Sequence, residues 1–138
     1  MRRPAGPGPR RGRGGFTLIE LMVVLALITV LAGMGVVQYR NSVQNTKEAV
    51  LKEDLFRMRD AIDQYYADKA KYPASLDALV TDGYLRVLPK DPITQSTETW
   101  QTVLAEPDPS NPTGEIGIVD VKSGSDGTAL DGTRFAEW

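Results

Sequence analysis

The sequence predicts an α+β protein in which one long N-terminal helix packs on a small antiparallel β-sheet head with a loop-rich C-terminus. Three observations predict it. Residues 16–37 are apolar apart from Thr17, Glu20 and Thr29, residues 38–71 contain neither Pro nor Gly, and everything after residue 72 is short and punctuated by Pro, Gly and Asp. The 138 residues divide accordingly into segments 1–15, 16–37, 38–71 and 72–138.

Residues 1–15 hold five arginines (Arg2, Arg3, Arg10, Arg11, Arg13), no acid, and otherwise mostly Pro and Gly. This is a basic leader without apolar periodicity. The whole chain carries a formal charge of −2, but without those arginines 11 Lys+Arg face 18 Asp+Glu, leaving about −7. A chain so charged beyond its leader is no nucleic-acid binder. The leader's positive charge instead predicts an N-terminus held on the cytoplasmic side of a membrane.

Residues 16–37 would make a helix of roughly 33 Å, matching a hydrocarbon core of about 30 Å. From residue 38 the pattern becomes amphipathic. Val43, Val50, Leu51, Leu55, Met58, Ile62 and Tyr65 recur at spacings of three, four or seven, with Lys47, Glu48, Lys52, Glu53, Arg57 and Asp60 mostly elsewhere. With no breaker between the halves, one continuous helix is expected, its first half in the membrane and its second lying on the head. The charged face could bridge neighbouring helices, but such a face is usually just solvated and exposed pairs contribute little.

Tyr72-Pro73 should end that helix, because the residue before proline is driven out of the α region. Residues 75–80 begin with a plausible cap, Ser75, and read as a short helix. Asp82-Gly83 turns the chain, and residues 84–92 are extended with proline punctuation. Residues 100–104 and 116–121 have strand composition and should pair across the loop 106–114. The tail closes on Phe135 and Trp138, aromatic residues expected to anchor it by packing.

There is no Cys and no His, which excludes disulfides, thiol nucleophiles, Ser-His-Asp chemistry and zinc sites built on those residues. No nucleotide loop, paired-carboxylate cleft or nucleophile with its base is present, so no enzyme is expected.

Glu20 is the anomaly, since a charge inside a span costs about 2.5 to 3.5 kcal/mol on insertion scales. Its setting, Gly14-Gly15-Phe16-Thr17-Leu18-Ile19-Glu20 behind a basic leader, resembles the processing site of the type IV pilin and type II secretion pseudopilin superfamily. The resemblance implies a pilin-like fold and cleavage between Gly15 and Phe16 by a prepilin peptidase, which also N-methylates Phe16. It further implies that Glu20 pairs with the Phe16 ammonium of a neighbouring subunit as helices bundle into a filament. A cleaved secretory signal ending near Ala32, a twin-arginine signal at Arg10-Arg11 and a tolerated carboxylate are the competing readings. Many members carry a proline near residue 37; this chain has Val37-Gln38-Tyr39.

Further along, Tyr72-Pro73, Gly83-Tyr84-Leu85, Leu88-Pro89-Lys90-Asp91-Pro92 and a Gly/Asp-rich tail ending in Trp138 resemble the major, G-type pseudopilins of type II secretion, the general secretion pathway protein G family. That implies an inner-membrane subunit with a periplasmic or external head, polymerising with itself into a pseudopilus. Implied partners are minor pseudopilins, the peptidase, the inner-membrane assembly platform and the membrane. It also implies calcium in the C-terminal loop, with Asp126 and Asp131 as carboxylate ligands supplemented by Ser123, Ser125 and backbone carbonyls. The same Asp-Gly pairs describe any surface turn, and Asp108 and Asp120 read as loop and strand-edge residues. A type IV pilin for adhesion, motility or DNA uptake shares the processing motif, and a secreted or anchored binding module is the alternative from another class.

Overall fold

The computed structural model describes residue 8, residues 14–107 and residues 116–138. The rest of the basic leader up to residue 13, and most of the expected inter-strand loop with Asp108, lie outside the described residues. The elements are α1 (Leu18–Lys69), α2 (Leu76–Thr81), β1 (Gln101–Leu104), β2 (Ile118–Lys122) and a closing 3-10 turn (Phe135–Glu137). Two compact units divide the chain, Met1–Gln38 and Tyr39–Trp138.

In the first unit every described residue is exposed, and α1 contains a window of mean hydropathy 2.4, apolar enough to cross a membrane by length and composition. Its polar exceptions are handled locally. The Thr29 hydroxyl donates to the carbonyls of Leu25 and Ala26, both at 2.8 Å. Such back-bonding removes a bare hydroxyl from an apolar surface.

In the second unit Leu51, Leu55, Met58, Ile62 and Tyr65 form the buried stripe of α1, joined by Ala61. They pack on Leu76, Leu79, Trp100, Ile118, Val121, Ala129 and Phe135. The alternating steps of four and three keep one face of a 3.6-residue helix turned to the head. Val43 and Val50 do not join it, being 38% and 44% exposed. The stripe continues instead through Glu48, expected on the charged face but buried here. Its Oε1 accepts from the Leu130 N–H at 2.9 Å and the Gln44 amide at 3.1 Å. A carboxylate at this position satisfies loop backbone that a valine would leave bare.

The helix stops at Lys69, short of Tyr72-Pro73, because Ala70 adopts a left-handed conformation (φ 52°). Ser75 caps α2, its hydroxyl accepting from the Ala78 N–H at 3.2 Å. Residues 84–92 form no strand. Strands β1 and β2 pair antiparallel, Gln101 opposite Lys122 and Thr102 opposite Val121, with an irregularity at Val103/Leu104. Two glycines permit close approaches: a Cβ on Gly117 would sit 2.4 Å from the Tyr72 Cβ, and one on Gly124 would sit 1.9 Å from the Thr99 carbonyl oxygen. The Trp100 indole N–H donates to the Pro89 carbonyl at 2.9 Å, tying the proline segment to the core.

Candidate functional site

The start of α1 brings two of the expected processing and assembly residues together. Gly14 and Gly15 are outside the helix, and so are Phe16 and Thr17. The Thr17 hydroxyl accepts the Glu20 N–H at 3.3 Å, and the Thr17 carbonyl accepts the Leu21 N–H at 3.2 Å. Thr17 is therefore the N-cap and Glu20 the third helical residue, the Thr-x-x-Glu spacing of a capping box. The sequence carries this spacing openly, and it supplies a local reason for the carboxylate: negative charge in a first helical turn is favourable. The Gly15–Phe16 peptide bond precedes the first helical hydrogen bond and lies outside the helix. Phe16, Glu20, Leu21 and Val24 line one cleft of about 140 Å³. An amine created at Phe16 would lie beside the turn that carries Glu20.

The C-terminal loop disposes of its four candidate metal ligands differently. Ser123 is fully buried and its hydroxyl donates to Asp91 Oδ2 at 2.5 Å. Ser125 is buried, its hydroxyl accepting from the Gly127 N–H at 3.1 Å and its own N–H donating to Ser123 Oγ at 3.2 Å. The Ser123 hydroxyl ties the loop to Asp91, and the Ser125 hydroxyl closes a turn within the loop. Asp126 and Asp131 are both exposed. Asp131 Oδ1 accepts the Thr133 hydroxyl at 2.6 Å and the Thr133 N–H at 2.9 Å, donors that hold its carboxyl below the usual aspartate range. Among the described residues no group of three or more Asp or Glu converges to hold an ion. Both serine hydroxyls thus have partners within the head, while Asp126 and Asp131 stand exposed.

Two residues that sequence reasoning passed over organise this end of the head. Asp91 is fully buried, and its Oδ1 accepts the N–H groups of Ile93 at 2.8 Å and Thr94 at 3.3 Å while Oδ2 takes the Ser123 hydroxyl. It joins the proline segment to the loop. Arg59 donates from Nε to Asp120 Oδ1 at 2.6 Å, and from Nη2 to the carbonyls of Val121 at 3.0 Å and Trp138 at 2.8 Å. Asp120 is accordingly an ion-pair partner rather than a plain strand-edge residue. The signal for Asp91 is its place between two prolines, which invites an Asx-type turn; Arg59 carries no local signal, since its partners are remote in sequence. Trp138 stacks edge-on with Phe135, ring centroids 5.1 Å apart, under the Lys52 ammonium at 4.4 Å.

Comparison with known proteins points the same way. The family model for the prokaryotic N-terminal methylation motif matches residues 10–36. Type II secretion system core protein G of Pseudomonas aeruginosa is 37% identical over 99 residues, covering 60% of this chain and 70% of the relative. The protein of that name from Escherichia coli is 31% identical over 143 residues, 90% of each chain. That from Klebsiella michiganensis is 28% identical over 148 residues, 94% of this chain and 95% of its own. No solved structure gives a significant match.

Proposed function

The chain belongs to the type II secretion system core protein G family, and from that we propose that it polymerises through its N-terminal helix into a pseudopilus that drives protein secretion. The observation that carries the reading is the pairing of an exposed apolar helix with Glu20 in its first turn, one cleft away from Phe16. An apolar surface of that size is unstable in water and must be covered, by lipid before assembly and by like helices after it. The apolar helix and the methylation motif fit a single-pass inner-membrane protein. Arginine in the leader favours the orientation with the N-terminus cytoplasmic and the head periplasmic.

In the proposed sequence of events a prepilin peptidase hydrolyses the Gly15–Phe16 amide with water and transfers a methyl group from a sulfonium donor, released as the thioether, to the liberated Phe16 amine. Glu20 then receives the Phe16 ammonium of a neighbour. The Thr17 cap fixes the backbone of the turn that carries Glu20, so the carboxylate leaves the helix from a defined position. The role is structural and no catalytic step falls to this chain. Its partners are further copies of itself, minor pseudopilins and the inner-membrane assembly platform. Intact mass with N-terminal peptide mapping from membranes tests the first step. A chain starting at Phe16 and heavier by one methyl group is expected; a start after Ala32, or a retained Met1 leader in working protein, overturns it.

Calcium in the C-terminal loop belongs to the same proposal. Asp126 and Asp131 would hold it, with loop carbonyls completing an oxygen shell. Support comes from exposed carboxylates, Asp131 ionised well into mild acid, on a loop already fixed by Ser123, Ser125 and Phe135. Chelation is expected to lower the melting temperature of the full chain in detergent, and Asp126→Ala to abolish that response. Identical melting curves with and without chelator would remove calcium from the account.

A further inference from the structure

The flank of α1 that meets the C-terminal loop holds it at two points. Glu48 accepts the Leu130 N–H at 2.9 Å, and Lys52, one turn on, places its ammonium 4.4 Å from the centroid of the Trp138 ring. That ring is itself tied to the loop. Its indole N–H donates to the Thr133 hydroxyl at 2.8 Å, and the Thr133 hydroxyl donates onward to Asp131 Oδ1 at 2.6 Å. Successive turns of one helix therefore bring Asp131 to Lys52 by two routes. One runs through the neighbouring Leu130 amide, the other through Trp138 and Thr133.

Asp131 responds to this placement. The two Thr133 donors hold its carboxyl below the usual range, and the Lys52 charge adds to them. Among the described residues Lys52 is the only charged side chain that acts on Asp131, and it does so across space, since the two make no direct ion pair. Lys52 is exposed, so its ammonium keeps its water while its stem follows the helix. A positive charge held beside a carboxylate favours the ionised form, and the same field opposes any second cation that approaches.

We propose that the Lys52 ammonium is the resident cation of the C-terminal loop and competes with a divalent ion for Asp131, so that this lysine sets how tightly the loop takes calcium. The inference rests on the calcium reading above and adds a regulator of that site, drawn from α1 and not from the loop. The two cations differ in kind. A tethered ammonium supplies one charge from a distance, whereas calcium carries two and takes six to eight oxygens directly. Calcium therefore displaces the influence of Lys52 once its concentration is high enough, against a field that acts on its double charge. Beyond ion-pair contact and in water, such a field weakens the binding of a doubly charged ion by about three- to tenfold.

The test titrates calcium chloride into the full chain in non-ionic detergent, followed by isothermal calorimetry. Lys52→Met keeps an apolar stem against the indole and removes the charge, and should bind calcium about three- to tenfold more tightly than the unaltered chain. Lys52→Arg keeps the charge and should bind as the unaltered chain does. In about 1 M potassium chloride, where charges are screened within about 3 Å, the gain of Lys52→Met should shrink towards nothing; a gain that persists would be a packing effect and overturns the proposal. With Asp131→Asn in the background, Lys52→Met should change nothing, because the carboxylate for which the two cations compete is gone. Equal affinities in the unaltered chain and Lys52→Met overturn the competition and leave calcium in place. Weaker binding in Lys52→Met, or failure of both Lys52→Met and Lys52→Gln to fold, makes Lys52 a support of the loop and overturns the competition too. No binding by any of these chains overturns the calcium reading and the proposal with it.

Discussion

The two halves of α1 use apolar residues for opposite ends. In the first unit Leu25, Leu27, Ile28 and Leu31 are each more than half exposed, whereas in the second Leu51, Leu55, Met58 and Ile62 are at most 2% exposed. Composition alone does not separate the two sets, since both are rich in Leu, Met and Ile. Arrangement does: apolar residues all round the helix need a cover from outside the chain, while a stripe backed by charge is covered by the chain's own head. On the proposed filament reading one half reports on assembly and the other on folding, and substitutions should sort the same way.

The largest effect should come from cutting the stripe. Leu55→Ala removes a side chain 2% exposed at the centre of the core, and should destabilise the head by about 2–5 kcal/mol. Melting of the full chain in detergent, followed by circular dichroism, would fall by about 10–40 °C. Leu27→Ala, the matching cut in the first unit, should leave head melting unchanged and lower only the fraction recovered in filaments. A head that melts early in Leu27→Ala would end the separation of the two halves.

Arg59 comes next, because it joins the helix to the last strand and the chain's end with hydrogen bonds to Asp120, Val121 and Trp138. The ion pair is partly solvated, its side chains 38% and 36% exposed, so it is weakened by solvent screening. Arg59→Leu should still cost about 1–2 kcal/mol through the two carbonyls left without a donor. Arg59→Lys should recover little, since an ammonium lacks the guanidinium's fork. A lysine variant as stable as the original chain would show that charge, and not the fork, does the joining.

What could be read from the sequence follows the reach of each interaction. The long apolar helix, the stripe from Leu51 to Tyr65, the Ser75 cap and the strand pair rest on periodicity and near neighbours, and the structure has each of them. Glu48 was misplaced, although the helical period puts it on the stripe, because charge argued for the outside; its partner Leu130 is 82 positions away. Asp91 and Ser123 meet across 32 positions, and Arg59 and Asp120 across 61. No local pattern announces contacts of that range. Ala70 ended the helix early for a similar reason: its left-handed conformation belongs to the chain path around it, and alanine has no preference for that region. At the start of α1 the reverse held. The Thr17–Glu20 cap is local, and its spacing stood in the motif itself.

The smallest expected effect concerns acid, and it sets two aspartates of the second unit against each other. Asp131 is held below the usual range by the hydroxyl and N–H of Thr133. Asp54, on α1, is pushed above it by burial, with Arg57 opposing. The signs differ. A depressed folded value means that Asp131 contributes stability above its unfolded pKa of about 3.9 and loses it as pH falls through the lower folded value. A raised folded value means that Asp54 costs stability once ionised, and that this cost is relieved as pH falls through its folded value. The Asp54 relief should therefore come first on acidification, and the Asp131 loss after it. Carbon-detected NMR titration of the carboxyl groups checks the order directly. Thr133→Val removes the hydroxyl donor and should move Asp131 back up while leaving Asp54 in place. An unmoved Asp131 would transfer its depression to the backbone N–H alone, and a moved Asp54 would mean that the loop and the helix titrate as one.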